Sequence, residues 1–198
     1  MKIPQIIISK LLFNKQWKNF KHKSVFRFLL HKGHWIFEEY VSNKEEALGK
    51  AIKDLSPKDD NLSVFIVKNE GITENFVNEI ELITFIYAAS ARDTLQHLYY
   101  VDIEAQSLYN LKLNIRHNPN TRPKINAFYS DRHYELFYVD DEKRRQLAEL
   151  IFSIISTLPE KKPLSMKKDK LRLTKSSFHE NEMVKMSNLE HFAPWAKA

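Results

Sequence analysis

The sequence contains no cysteine and only three glycines in 198 residues. The absence of cysteine excludes disulfide frameworks, cysteine-ligated zinc, iron–sulfur clusters and thiol nucleophiles. Gly33, Gly49 and Gly71 lie too far apart for a GxGxxG dinucleotide-binding motif, a GxxxxGKS/T phosphate-binding loop or the GxSxG turn of serine hydrolases. Enzymes that depend on any of these elements are therefore not expected.

Long apolar runs are also missing. The strongest stretches, residues 6–8 and 11–13, are interrupted by Ser9 and Lys10, and both fall far short of the roughly 20 apolar residues that cross a bilayer. We therefore expect no membrane span, and the interruption also disfavours a secretory signal. A chain without cysteine fits a reducing compartment, so the expected location is intracellular and cytoplasmic, with organellar import and secretion as an effector as the alternatives.

Acidic residues are missing from the first part of the chain. Residues 1–37 hold eight Lys/Arg and no Asp or Glu, residues 38–158 hold 14 Lys/Arg against 20 Asp/Glu, and residues 159–198 hold nine against five. A polyanion would be attracted by the two ends and repelled by the middle. This layout predicts an acidic body with basic termini that contact nucleic acid, RNA ahead of DNA, or another anionic surface.

Aromatic side chains alternate with lysines in residues 17–23. Such rings can stack on bases while ammonium groups meet phosphates; in the alternative, the rings belong to the core and the lysines form a solvated face. The first 37 residues also fit an amphipathic targeting sequence or a helix lying along a membrane. The predicted nucleic-acid contacts are Lys10, Lys15, Trp17, Lys18, Phe20, Lys21 and Lys23 near one end and Lys161, Lys162, Lys167, Lys168, Lys170 and Arg172 near the other.

Hydrophobic periodicity divides the chain into three parts: a basic, helical N-terminal extension over residues 1–23, a domain over residues 24–158, and a basic, weakly structured tail over residues 159–198. The predicted elements are a helix over 5–20, a hairpin over 25–41 around Gly33, a helix over 44–55 capped by Ser42 and Glu45, strands over 62–67, 82–88, 124–129 and 134–139, and a helix over 140–158. Residues 82–88 also fit a helix.

These elements predict a single α+β domain. We expect a mixed or antiparallel sheet of about five to seven strands, with helices packed on one face.

Two carboxylates lie two residues apart on a predicted strand. Asp102 and Glu104 therefore point to the same face, as paired metal ligands must. Residues 100–104 and 126–131 resemble the first and second motifs of exonucleases that hold metal ions with four carboxylates on a ribonuclease-H-like sheet. The resemblance implies Asp102, Glu104 and Asp131 as metal ligands of a nuclease. The interval between the two stretches is shorter than in that family, and no third motif with a late aspartate follows.

A second polar group alternates along the last predicted hairpin. Asp131, His133 and Glu135 would share one face. These residue types form hydrolytic metal sites and acid–base pairs, and they are equally common on the solvent side of an antiparallel strand. His31 and His34 flank Gly33 without acidic co-ligands nearby and are predicted to be loop residues. We assign no catalytic residue, metal or cofactor from the sequence.

The sequence therefore favours a non-enzymatic binding or assembly subunit whose acidic domain docks to protein partners and whose basic termini contact RNA or DNA. The alternative is a protein-only interaction module, such as an adaptor, a chaperone-like secretion component or a secreted effector. A metal-dependent nuclease is the remote alternative. The predicted partner anchors in the tail are Leu171, Leu173, Phe178, Phe192 and Trp195.

Overall fold

The computed structural model describes residues 17, 18, 20, 23–55, 61–68, 79–91, 97–119, 127–137, 139–167, 169 and 171. Within these residues, six strands form one antiparallel sheet in the order β4-β5-β2-β1-β3-β6. The predicted single α+β domain with a sheet of this size is confirmed. The strands are β1 Ser24–Leu29, β2 Leu62–Val67, β3 Leu98–Glu104, β4 Asn114–His117, β5 His133–Phe137 and β6 Leu164–Met166.

The described helices pack on both faces of this sheet, so the expectation of one covered face is wrong. The reason is visible in β1, where residues 25–29 are all buried and no side is left to water. The helices are α1 Phe37–Ser42, α2 Lys44–Asp54, α3 Glu79–Ala91, α4 Ala105–Asn110, α5 Ala127–Arg132 and α6 Asp141–Thr157, with a 3₁₀ turn over Lys32–Trp35. None of them has the length and apolarity that a membrane-spanning helix needs.

Two cores result, one on each face of the sheet. Val25, Leu29 and Val64 point to the first core, which is closed by α2 and α6. Phe26 and Phe28 point the other way into the second core, which is closed by α3. Because neighbouring residues of a strand point to opposite faces, β1 contributes to both cores at once. The centre of the sheet is therefore shielded from water on both sides.

The helix predicted over 44–55 and the strand predicted over 62–67 are confirmed by α2 and β2. The cap of α2 is one residue later than predicted. The Asn43 side chain accepts a hydrogen bond from the Glu46 backbone N–H at 3.5 Å, and its amide donates to the Glu46 carboxylate at 2.9 Å. Asn43, rather than Ser42, therefore begins the helix. The long final helix is confirmed, with Asp140 as its cap.

Three predicted strands are wrong. The second half of the 25–41 hairpin is the 3₁₀ turn followed by α1, residues 82–88 belong to α3, and residues 127–129 of the 124–129 strand belong to α5. In α3 the side chains of residues 82–86 are all buried, so the helix has no polar face and shows no period of 3.6 in its sequence. The predicted helix over 5–20 lies largely outside the described residues.

The cores extend beyond residues 24–158. Trp17 is 2% exposed within the first core, and Met166 and Leu171 are buried in the second. Strand β6 pairs with β3 in the register Leu98↔Met166. The sheet therefore continues into the segment that the sequence assigned to the tail; three residues are too few to show a period.

Candidate nucleic-acid interface

The aromatic residues predicted to bind nucleic acid near the N-terminus pack into the protein. The indole N–H of Trp17 donates to the Leu113 carbonyl at 2.7 Å, and the Phe20 ring meets the edge of Tyr134 with the centroids 5.1 Å apart. Trp17 therefore offers no free ring face to a base. Lys18 is exposed and Lys23 is half-buried. Lys10, Lys15 and Lys21 lie outside the described residues.

The described basic residues of the C-terminal set flank the edge strand β6. Lys161 and Lys162 precede this strand, Lys167 follows it, and all three are exposed. Leu171 is buried in the second core, which takes it out of the set of exposed partner anchors. The remaining predicted residues of this segment lie outside the described part: Lys168, Lys170, Arg172, Leu173, Phe178, Phe192 and Trp195.

The two basic sets lie at opposite ends of the sheet. The Lys23 carbonyl accepts a hydrogen bond from the Ala105 N–H at 3.1 Å, beside the start of β1. At the far end of β1, Leu29 pairs with Tyr99, and Tyr99 pairs with Ser165 of β6. Six residues of strand separate the two ends by about 17 Å. Lys23 and the lysines around β6 therefore do not share one compact surface.

A different group of side chains meets at the β6 end of the sheet. The ammonium of Lys32 lies 5.2 Å from the centroid of the Tyr99 ring. Lys32 begins the 3₁₀ turn that directly follows β1, and Tyr99 lies on the neighbouring β3. The tyrosine is held from both sides by the pairing of β3 with β1 and β6. The strand register thus places a half-buried ring beneath an exposed lysine.

A second pair of the same kind lies on adjoining segments. The ammonium of Lys161 lies 5.6 Å from the centroid of the Phe37 ring, and Phe37 is the first residue of α1. Lys161 follows the end of α6, where its N–H donates to the Leu158 carbonyl at 2.9 Å. Its backbone φ is 49°, a left-handed conformation that favours glycine.

We call Lys32, Phe37, Tyr99 and Lys161 the ring–lysine surface. Lys32 and Phe37 are five positions apart in the chain, and Lys161 is four positions from Ser165, the strand partner of Tyr99. An extended chain spans at most about 3.5 Å per residue, so the two pairs lie within roughly 18 Å of each other along the path from Lys32 to Phe37. The sequence did not point to Lys32 and Phe37, because residues 25–41 were predicted to form a hairpin, and Tyr99 meets Lys32 only through the strand register.

Exposed apolar side chains lie in one of the segments that form this surface. Within the described part of the chain, the exposed large hydrophobic residues are Leu30, Ile36 and Val41, at 51%, 42% and 68%. All three lie in the segment that carries Lys32 and Phe37. The same segment exposes Glu38, and Glu160 precedes Lys161. The segments that form the surface therefore carry apolar, aromatic, basic and acidic side chains together.

The carboxylates of the exonuclease resemblance are not brought together. Asp102 accepts a hydrogen bond from the Ser24 hydroxyl, while the Asp131 carboxylate accepts from the Lys68 ammonium at 2.6 Å. In the strand register Asp102 pairs with Phe26, which pairs with Phe65, which pairs with His133. Three strand spacings of about 4.8 Å each separate the two ends of this row. Paired metal ions are only about 4 Å apart, so Asp102, the exposed Glu104 and Asp131 do not fit one centre.

The second predicted trio is also divided. Asp131 lies in α5, whereas His133 and Glu135 lie on β5. Burial lowers the pKa of His133, and its Nδ1 lies 2.7 Å from the Asn118 carbonyl oxygen. Glu135 is engaged by Arg116 at 3.0 Å and by the Asn118 amide at 2.6 Å. Asp131, His133 and Glu135 are therefore each hydrogen-bonded to other residues rather than to one another.

His31 and His34 do approach each other, with ring centroids 4.9 Å apart. Among the described residues, however, no group of three or more His, Asp or Glu side chains is placed to hold a metal ion.

No family model, curated protein or solved structure matches the chain.

Proposed function

We propose that this protein is a non-enzymatic binding subunit that contacts nucleic acid, RNA ahead of DNA, through the lysines of the ring–lysine surface, while its acidic body docks to protein partners. The observation that carries the proposal is the placement of Lys32 and Lys161, each held over a ring on adjoining segments. Each exposed ammonium group can neutralise one phosphate of a nucleic-acid strand.

The cation–π contacts hold the lysines without trapping them. An exposed contact of this kind contributes about 0.5–1 kcal/mol, so a phosphate can draw the ammonium away from its ring at small cost. Both ammonium groups can therefore exchange a ring for an anion.

The backbone of Lys161 determines which substitution tests its side chain. A non-glycine residue in the left-handed region costs roughly 1–2 kcal/mol, and glycine would remove that cost at a φ of 49°. Glycine at this position would therefore remove the ammonium group without adding backbone strain. Among the described residues, Lys112 has a similar φ of 54°. It lies in the turn after α4 and is not part of the ring–lysine surface.

The substitution Lys161→Gly tests the proposal. It removes the ammonium while relieving the backbone, and Lys112→Gly makes the same exchange outside the surface. We expect Lys161→Gly to weaken binding of a fluorescein-labelled 12-nucleotide RNA about fivefold at 0.1 M salt, because each phosphate contact on a single strand contributes about 0.7 to the log–log salt slope. The measurement is fluorescence anisotropy at several salt concentrations.

Lys112→Gly should bind as the wild type does, and both variants should retain the stability of the wild type within about 1 kcal/mol. Equal binding by the wild type and by a double variant Lys32→Gln, Lys161→Gly would overturn the assignment of the surface. A wild-type protein that does not bind the labelled RNA at all would overturn the proposed function.

A second candidate, a protein-only interaction module, is favoured by the exposed Leu30, Ile36 and Val41. Exposed apolar side chains gathered in one segment mark sites of protein association. In this alternative, Ile36→Ser and Val41→Ser abolish recovery of a protein partner, and treatment with nuclease leaves that recovery unchanged. Recovery that is lost with nuclease supports the nucleic-acid proposal instead.

A further inference from the structure

We infer that the nucleic acid is single-stranded and that its bases stack on Phe37 and Tyr99; this inference rests on the proposed function. The two rings are partly exposed, and each carries its lysine on the solvent side. When a phosphate draws the ammonium away, the ring face is free to receive a base. Stacking on aromatic side chains is the general way in which proteins hold single strands without reading their sequence.

Both rings are fixed before a ligand arrives. Phe37 packs against the first core and lies 6.2 Å from the Tyr40 ring, which is itself stacked on Phe152 of α6 at 4.2 Å. Tyr99 also packs against the first core and lies between two paired strands. A rigid ring loses little conformational entropy when a base stacks on it. The surface is therefore a prepared platform rather than a pair of loose side chains.

A duplex does not fit this platform. Reading a duplex requires a helix or a strand pair that enters a groove, whereas the ring–lysine surface is built from a 3₁₀ turn, the six-residue α1, a strand interior and a tight turn. The bases of a duplex are also already stacked on one another and offer no free face. A single strand can turn its bases outward onto the rings.

The platform is short. The two lysine–ring pairs lie within roughly 18 Å of chain, so the platform contacts only a few nucleotides. The exposed carboxylates of Glu38 and Glu160 border it, and the body beyond carries a net negative charge, with 14 Lys/Arg against 20 Asp/Glu in residues 38–158. Phosphates that extend past the platform are therefore repelled.

Three DNA probes of equal length separate bases from phosphates: a 12-nucleotide thymidine strand, a 12-base-pair duplex, and a 12-nucleotide strand with abasic sites throughout. We expect the wild type to bind the thymidine strand at least fivefold more tightly than the abasic strand and the duplex. Phe37→Leu and Tyr99→Leu should each weaken binding of the thymidine strand by about 5- to 150-fold, the effect of one lost stacking contact, and leave the weak abasic binding unchanged.

The chain offers matched controls. Phe137 lies beneath the guanidinium of Arg116 at 5.2 Å on the opposite edge of the sheet, so Phe137→Leu removes a comparable ring outside the surface and should bind as the wild type does. Tyr99→Phe keeps the ring and should also retain binding. A loss in both Tyr99→Leu and Tyr99→Phe would overturn the stacking role.

The outcomes distinguish the two proposals. Equal affinity for all three probes, together with normal binding by the leucine variants, overturns the inference and leaves the lysine contacts in place. No binding to any probe, with the labelled RNA of the first experiment also unbound, overturns the proposed function itself. If a leucine variant does not fold, the comparison of the abasic and thymidine strands on the wild type still decides the inference.

Discussion

Arg27 lies on the central strand β1 and is only 8% exposed, although it belongs to the 37-residue segment that holds eight Lys/Arg and no acidic residue. Its guanidinium donates to the Ser63 carbonyl at 2.7 Å and to the Asp54 carbonyl at 3.4 Å. Asp54 is the last residue of α2, and a cation at a helix C-terminus is favourable because it opposes the helix dipole. Burial lowers the pKa of Arg27, and the Asp54 carboxylate opposes that effect. Arg27 therefore joins α2 to the sheet and is not available to a polyanion.

His133 provides a prediction about pH. Burial lowers its pKa, with His117 adding to the effect and the Asn118 carbonyl and Glu135 opposing it. Because the pKa in the folded protein is below the unfolded value, the stabilising contribution is complete above about pH 6.5 and is lost as the pH falls through the folded pKa. The Nδ1 proton donates to a carbonyl, so Nε2 is the nitrogen that titrates.

We expect the free energy of unfolding of the wild type to fall more steeply than that of His133→Gln below pH 6.5. The difference in slope is at most one proton, about 1.4 kcal/mol per pH unit. Urea unfolding at a series of pH values between 5 and 8 measures it. Parallel curves for the two proteins would show that the environment of His133 does not favour its neutral form.

At the scale of elements, the α2 N-terminus gives a prediction about capping. Asn43 and Glu46 satisfy each other's amide and carboxylate groups and the Glu46 N–H, whereas the Ser42 hydroxyl donates backward to the Glu39 carbonyl at 3.3 Å. Asn43→Ala should lower the free energy of unfolding by about 1 kcal/mol, measured from the urea midpoint. Ser42→Ala should change it by less than about 0.5 kcal/mol. The opposite ranking would restore the sequence-based assignment of Ser42 as the cap.

The two helices that the sequence predicted correctly each have one polar face. In α2 the buried residues Ala47, Leu48 and Ala51 recur with the helical period, and α6 shows the same pattern. Of the helices that it missed, α3 lacks a polar face, and α1 and α5 have only six residues each. The chain from Trp35 to Tyr40 is rich in β-forming side chains, yet Trp35 and Tyr40 both contact the Phe152 ring of α6. That tertiary contact favours a helical turn over the local preference for strand.

The residues of the candidate site also depend on tertiary contacts that the local sequence does not show. The charge layout predicted Lys161, Lys162 and Lys167 as nucleic-acid contacts, and all three are exposed. It could not identify Tyr99 or Lys32, because the register of β1, β3 and β6 brings these residues together across more than 60 positions of chain. A lysine above a ring from another strand leaves no local pattern in the sequence. Trp17 was misplaced for the same reason, since its partner Leu113 is 96 residues away.

At the scale of the whole molecule, residues on both sides of the segment 24–158 contribute to the cores. Trp17 closes the first core and donates its indole N–H to Leu113. Leu171 is fully buried in the second core, and its N–H donates to the Lys167 carbonyl at 3.1 Å. A division into a folded body over 24–158 and two separate basic arms would leave these side chains without a structural role.

A body with separate basic arms and a single fold that includes Trp17 and Leu171 predict different stabilities for variants of the full-length chain. Trp17→Ala should lower the free energy of unfolding by about 3–5 kcal/mol and Leu171→Ala by about 2–5 kcal/mol, because each leaves a cavity in a packed core. The neighbouring exposed residues Lys18 and Lys167 provide controls, and Lys18→Ala and Lys167→Ala should each change it by less than about 0.5 kcal/mol. Urea unfolding followed by circular dichroism measures all four variants.

If the core variants were as stable as the lysine variants, the basic ends would be independent of the body. Anions could then be bound by the ends without any effect on the sheet. The expected losses instead mean that the lysines beside β6 are held at fixed positions by the same packing that stabilises the fold.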